Sequence, residues 1–369
     1  MDKKSVYLII GVVIVLLIAL GVYFSNQTKD DEVIKIGVIT PLTGWAAYWG
    51  EDVQSGINLA IDEINNAGGI SGVPIVAIYE DLGAIDLKAA SNAANKLVNV
   101  DNVDFVLPTF LEDTTIVSPI AHEKNKIIIS IAAGNKGVEQ RELLFRVRPY
   151  TEDKNAFPKK SIEYFLPKGN NKPVVLYEQI QFYENYKNEI VSAWEERTGE
   201  KPATMAISGD VRTVLNKVKE GNYNLMYVSA TTPTQIEVMR RSKELGLNIS
   251  VIGAGELDPT HISVGSVTDG LILPYYKPSE LVTFSQDYQE KYSHMASTSA
   301  EWAYDAIYVI AKSMKNKGMS TQEIANEMKK LSFEGASGLV EFDSDQNRII
   351  DYDRIEILIK MNDSFVPIE

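Results

Sequence analysis

Apolar and polar positions along this chain fall into blocks that alternate in a regular way. Ile34, Ile36, Val38 and Ile39 form a short aliphatic run of the kind that is buried in a strand. Pro41, Gly44 and Gly50 punctuate the loop after it. Val53, Ile57, Ala60, Ile61 and Ile64 then recur at steps of three and four, which places them on one helical face. Gly68-Gly69 supplies residues able to take the left-handed conformation that ends a helix. A second strand is predicted over 74–79. The rhythm continues with a helix around Ala89, Ala90, Ala93, Ala94 and Leu97, a strand over 103–107, a helix over 113–125 and a strand over 126–131. After the polar stretch that follows Pro149 it restarts, with a helix over 155–165 and strands over 173–177, 203–207, 225–229 and 250–253. Helices over 183–196, 211–219 and 233–245 separate those strands. Strands alternating with helices predict an α/β fold with parallel sheets and right-handed crossovers, and two such sets predict two similar lobes. The end of the chain breaks the pattern. Helices over 279–292, 300–317 and 321–331 follow one another before strand-like runs over 339–342 and 354–359. Helices with no strand between them are expected to pack back on an existing lobe.

The first residues add a membrane to this picture. The run over 6–24 is aliphatic except for Tyr7, Tyr23, Gly11 and Gly21, ends on Phe24, and holds no charge. It is long enough to span a bilayer as a helix. A cleaved signal would have a shorter apolar core and a small-residue cleavage site, which Ser25-Asn26-Gln27 does not supply. Lys3 and Lys4 precede the run, so a single-pass transmembrane anchor over 6–24 leaves the short N-terminus in the cytoplasm and places the body of the chain on the extracytoplasmic side. Residues 25–32 are polar and charged and read as a linker.

Composition removes several function classes. The chain has no cysteine, so disulfides, thiolate metal sites, cysteine nucleophiles and a lipid-modified cysteine are excluded. Its formal charge is −14, to which Asp2, Lys3 and Lys4 contribute +1, leaving −15 outside the membrane. Such an acidic surface argues against nucleic acid or anionic lipid as a partner. His122, His261 and His294 are scattered without ligand spacing, and no Gly-x-Ser-x-Gly or phosphate-cradling loop accompanies them, so no catalytic residue, metal or cofactor is expected. Glu112-Asp113 and Glu80-Asp81 are adjacent carboxylates that do not face one another and make no acid/base pair.

The loop between the first strand and helix lies beyond the strand's carboxyl end, where open α/β sheets place ligands, and Trp45, Tyr48 and Trp49 crowd it. The segment Gly44-Trp45-Ala46-Ala47-Tyr48-Trp49-Gly50, followed by IDEINNAGGISG over 61–72, resembles the first unit of the leucine/isoleucine/valine-binding protein family. These are the type I periplasmic binding proteins that serve ABC importers. Glu301-Trp302-Ala303-Tyr304-Asp305-Ala306 is similar to a characteristic helix of that family, and GASGLVEFDSDQNR over 335–348 to its late glycine turn and Phe-Asp strand. The resemblance covers essentially all of 33–369.

What the resemblance implies is a pair of Rossmann-like lobes joined by three hinge crossings, near Tyr150, Pro274 and Ser344, with ligand trapped between them by hinge closure. Lobe one would hold 33–150 and 275–344, and lobe two 151–274 and 345–369. The implied partners are a small polar, amino-acid-like ligand and ABC permease subunits, with no cofactor. In amino-acid binders of the family a serine after one strand and a threonine after a Pro-Ala-Ala turn hold the ligand carboxylate. Here the serine position falls on Leu111, ahead of Glu112, and Ile131-Ala132-Ala133-Gly134 puts Gly134 where the threonine is expected. Amides at the helix start after Leu111 offer an electropositive end to an anion, opposed by Glu112 and Asp113 unless those residues cap the helix. The aromatic that stacks in the family's cleft corresponds to Phe182 or Tyr183, a second family tyrosine to Thr231, and the acid that pairs with a ligand ammonium to Glu256, which otherwise caps a turn. Trp45, Tyr48 and Trp49 form either cleft wall or packing between lobes. A sensory module of the same fold, signalling through a separate membrane protein, is the alternative to transport.

Overall fold

The computed structural model describes residues 33–83, 86–132, 138, 142–253, 265–277, 282–362 and 364–368. The expected anchor over 6–24 and linker over 25–32 lie outside the described residues. Among the described residues, no helix is long and apolar enough to cross a membrane.

The chain opens with β1 (Ile34–Thr40), α1 (Ala47–Asn66), β2 (Ile75–Asp81), α2 (Leu87–Asn95), β3 (Phe105–Pro108), α3 (Leu111–Glu123), β4 (Ile127–Ser130) and β5 (Leu144–Arg146). These strands make one five-stranded parallel sheet in the order β2-β1-β3-β4-β5. Ile34, Ile36, Val38, Val106 and Ile128 are buried in it, as the continuous apolar runs of a sheet covered on both faces require. The helix after β1 starts earlier than its apolar pattern indicates. Tyr48, Trp49 and Gly50 are helical rather than loop residues, and a Cβ on Gly50 would sit 1.8 Å from the Pro41 carbonyl oxygen. The glycine thus serves a close approach of helix to incoming chain.

A second unit follows: α4 (Phe157–Phe165), β6 (Pro173–Tyr177), α5 (Gln181–Thr198), β7 (Ala203–Ala206), α6 (Val211–Gly221), β8 (Leu225–Ser229), α7 (Thr232–Glu244), β9 (Ser250–Gly253) and β10 (Leu271–Tyr276). Its sheet runs β14-β13-β10-β9-β8-β6-β7, with β13 (Ile355–Met361) and β14 (Ser364–Pro367) coming from the end of the chain. Neighbouring residues of β6 serve opposite faces: Val174 and Leu176 pack with α6 and α7, and Val175 with α4 and α5. The expected parallel pairing holds for β10-β9-β8-β6-β7, and the two strands from the end of the chain add an antiparallel edge, β13 pairing antiparallel with β10 and β14 antiparallel with β13. For β14 the reason is local: Asn362 at φ 54° sits in the tight turn after β13, and such a turn joins antiparallel strands.

Between β10 and β13 the chain returns to the first sheet through α8 (Val282–Tyr292), α9 (Thr298–Ser313), α10 (Thr321–Met328) and a small hairpin of β11 (Ser332–Gly335) and β12 (Gly338–Glu341). Trp302, Ala303, Ala306, Ile307 and Ile310 of α9, with Ile324 and Met328 of α10, join the core under β1 and β3. Helix α1 packs closely on α9: a Cβ on Gly56 would lie 2.1 Å from the Ala300 carbonyl oxygen. The strand β10 runs on through Tyr275 and Tyr276, which pair with Glu356 and Ile355, so the chain leaves the second sheet beyond Pro274 rather than at it. The outgoing chain after β5 and the last passage before β13 are bonded to each other, Arg146 donating its amide to Gln346 O (3.0 Å) and Arg348 donating to Arg146 O (3.0 Å).

Candidate functional site

The carboxyl ends of the two parallel sets of strands meet across a cleft, and the loops and helix starts just beyond those ends supply its walls. On the first wall, the loop after β1 is held by Asp81 at the end of β2. Its Oδ1 accepts the amides of Leu42 (2.8 Å) and Gly83 (2.7 Å), and its Oδ2 accepts the Thr43 hydroxyl (2.6 Å). Partial burial pushes the Asp81 carboxyl upward, but the hydrogen bonds from Thr43, Gly83 and Leu42 outweigh it and leave the pKa lowered. Trp45 and Tyr48 are half-buried against the first core, and the Tyr48 hydroxyl reaches across to Thr232 Oγ1 at 3.4 Å. Trp49 is buried, with Phe110 stacked on it at 5.6 Å and Trp302 tilted at 6.1 Å. The Arg148 guanidinium lies 4.7 Å over the Trp302 ring and pairs with Glu152, both charged groups being buried. Phe110, Trp49, Trp302 and Arg148 thus form a continuous stack behind the loops.

The turn from β3 into α3 is acidic. Leu111 is buried in the first core and contributes no polar group. Asp113, fully buried, accepts the amides of Thr109 (3.0 Å) and Phe110 (2.8 Å), so it caps its own helix start. Burial pushes its carboxyl up to about 8 against the pull of the Thr109, Phe110 and Thr114 amides. The Thr114 hydroxyl donates to Phe110 O (2.6 Å) and lies 3.1 Å from Ser130 Oγ, which accepts the amide of Ala132. Glu112, one residue before Asp113, leaves the helix in the opposite sense: its Oε1 accepts the Phe182 amide at 3.2 Å, on the far side of the cleft. Burial raises its pKa as well.

On the second wall, Phe182 and Tyr183 occupy the first turn of α5, buried and edge-to-face at 5.0 Å. Thr231 precedes α7, and its amide donates to Glu178 Oε2 (2.7 Å) while its hydroxyl lies 3.3 Å from Glu178 Oε1. Thr234 also donates to Glu178. The structure therefore brings Tyr48, Glu112, Phe182 and Thr231, whose neighbour Thr232 meets Tyr48, to one cleft. It buries Trp49 and Leu111 behind the first wall, and places Ala132 beside Ser130. Ala133, Gly134 and Glu256 lie outside the described residues. The sequence reading did not single out Glu178, Thr232, Phe110 or the Arg148–Glu152 pair. Glu178 directly follows a buried strand, a position like that of Asp81 at the end of β2, and that shared placement was the available signal.

The model of the periplasmic binding protein family matches residues 33–352 of the chain. The chain belongs to the periplasmic binding protein family. A leucine-, isoleucine-, valine-, threonine- and alanine-binding protein of Pseudomonas aeruginosa is 25% identical over 341 residues, 87% of this chain and 88% of that protein. Among solved structures, a leucine-binding protein of Thermotoga maritima superposes with a TM-score of 0.80 at 21% identity, covering 91% of this chain and 98% of that one. A solute-binding protein of an ABC transporter from R. palustris, solved with benzoate, superposes at 0.78 and 17% identity over 91% of this chain and 95% of that one. These likenesses establish the periplasmic binding protein fold.

Proposed function

We propose that this chain is the solute-binding subunit of an ABC importer, held on the extracytoplasmic face of the cell membrane by residues 6–24 and capturing a small polar, amino-acid-like ligand between its two lobes. In this reading lobe one comprises 33–150 and 275–344, lobe two comprises 151–274 and 345–369, and the three passages between them act as the hinge. Trp45, Tyr48, Glu112, Phe182, Tyr183 and Thr231 line the cleft, and Glu256 is the acid assigned in this reading to a ligand ammonium. The observation that carries the reading is the pair of contacts across the cleft, Glu112 with the Phe182 amide and Tyr48 with Thr232. They join loops from two units that are otherwise connected through the passages, which is the arrangement a closing cleft needs. The amino-acid names of its relatives support the ligand class, and the uncharged run over 6–24 supports the anchor. The role is capture and delivery, without chemistry.

The test is a thermal-shift and tryptophan-fluorescence screen of the detergent-purified full chain against amino acids, amides, amines and small aromatic acids. At a ligand concentration a hundred times Kd, selective binding stabilises the closed protein by about 2.7 kcal/mol, a readily measured rise in Tm. A broad library that leaves Tm and fluorescence unchanged tells against solute capture.

A further inference from the structure

Four helices bring their own caps. The side chains of Asp86, Asp210, Ser297 and Ser320, each the residue just before its helix, accept first-turn amides of α2, α6, α9 and α10. The residue before α5 is Ile180, whose side chain can accept nothing, although its backbone has the extended geometry of a cap residue, φ −117° and ψ 140°. The acceptor comes instead from the other unit. Glu112, the second residue of α3, takes the amide of Phe182, the second residue of α5, at 3.2 Å. The same carboxyl is pulled down by its own backbone amide as well, so it serves two helix starts whose electropositive ends approach each other across the cleft. A second observation is apolar. Phe182 and Tyr183 are buried, at 5% and 1% exposure, yet they form a small cluster with Ile180 apart from the two cores of the second unit. The helix of the first unit that packs on α5 is α3.

We propose that Glu112 is a latch between the two units, a cap lent by the first to α5 of the second, so that closing the cleft completes a helix start that opening leaves bare. The proposal rests on the reading of the cleft as one that opens and closes, and it gives Glu112 the task of holding the closed form rather than of contacting solute. The working group is the accepting oxygen and not the charge. Taking a carboxylate out of water is unfavourable, and burial raises the Glu112 pKa. A side-chain amide at this position keeps the acceptor without that cost. A methyl group there leaves the Phe182 N–H buried with no partner whenever the cleft is closed.

The chain has no cysteine, so one cysteine introduced in each unit reports the width of the cleft. Lys88→Cys on α2 and Lys217→Cys on α6, both exposed, carry nitroxide labels in the detergent-purified full chain. Pulsed dipolar spectroscopy without added solute gives the distribution of distances, and the Tm of each variant checks that it folds. Glu112→Ala is expected to lower the ratio of short to long distances roughly tenfold, equivalent to about 1.4 kcal/mol, and Glu112→Gln to keep or raise it. Ile180→Ser gives α5 a cap of its own in either form and is expected to lower the ratio with Glu112 intact. A merely structural Glu112 predicts no such effect, and this variant tests the latch even where Glu112→Ala does not fold. An alanine variant with the parent's distribution, a glutamine variant as open as the alanine one, or an unchanged ratio in Ile180→Ser overturns the latch; solutes that still raise Tm then leave solute capture standing. A single distance in every variant, unchanged by any solute of the screen, counts against a closing cleft and the latch together.

Discussion

Asp305 and Asp113 are both fully buried carboxylates on helices, each accepting the backbone amides of a neighbouring turn, yet they sit in opposite electrostatic settings. Asp305, on α9, accepts the amides of Ala336 (2.6 Å) and Ser337 (3.1 Å), the Ser337 hydroxyl, and the Arg348 guanidinium at 3.4 Å. Arg348 in turn donates to Ser337 Oγ (2.6 Å), Leu339 O (3.0 Å) and Val147 O (3.2 Å). That network ties the last passage to α9, to the turn between β11 and β12, and to the first passage. Among the described residues, Asp113 accepts backbone amides and has no cation partner. Burial raises both carboxyls, but only Asp305 has Arg348 pulling back. The contrast separates a fixed point from a wall: a fully paired cluster where the passages attach to the first unit, and an under-compensated acid where the cleft opens.

The largest way to break the comparison is to remove the counter-charge. Arg348→Met leaves Asp305 buried with no cation, and breaking a buried pair by deleting one partner costs about 3–5 kcal/mol. Burial lowers the Arg348 pKa while it raises that of Asp305, so desolvation works against the ionised pair and much of the cost comes from the orphaned charge. Urea unfolding followed by fluorescence measures it, and a loss under 1 kcal/mol, at the level of about one ordinary hydrogen bond, would put the cluster's role in doubt.

Asp113 offers the converse experiment, and here the sign matters. Its folded pKa is raised from 3.8 to about 8, so the folded state binds more protons than the unfolded state between those values. Stability from this group is fully present below 3.8 and is lost as pH rises through about 8. Asp113→Asn, which cannot ionise, is expected to flatten the decline of stability across that window while keeping an acceptor for the turn. Glu112, raised in the same direction, leaves a residual slope. Urea midpoints at a series of pH values check this; parallel profiles for the two proteins would show that Asp113 does not titrate there.

How much of this was legible in the sequence follows the range of the interactions involved. The buried strands announced themselves through Ile34, Ile36, Val38 and the run over 225–229, because a strand covered on both faces must be apolar throughout. The strand β10 was not foreseen, since Pro274 interrupts its apolar run, yet it continues to Tyr276 with β13, from the far end of the chain, as its partner. The helix holding Asp305 was recognisable, but its partners Ala336, Ser337 and Arg348 lie 31 to 43 residues away, and no local pattern encodes that meeting. At the cleft, the exchange of hydroxyls for Leu111 and Gly134 was visible, and capping by Glu112 and Asp113 was one of two open outcomes. The structure divides those two acids, one capping its own helix and the other crossing to Phe182, because adjacent side chains on a helix point in different directions.

The smallest test compares two hydroxyls, one from each setting. Ser337 Oγ bonds both Asp305 and Arg348, and Thr109 Oγ1 is equally buried with no partner. Ser337→Ala strips a hydrogen bond from each of two charged groups and is expected to cost about 1.5–3 kcal/mol. Thr109→Val keeps the shape and removes a hydroxyl that is already desolvated without compensation, so its effect on stability is expected to be near zero or stabilising by up to about 1 kcal/mol. Thermal melts of the two variants check this: a Thr109→Val protein that is much less stable than the parent would mean that the hydroxyl already has a structural partner, and the distinction between the paired cluster and the wall would then fail at this residue.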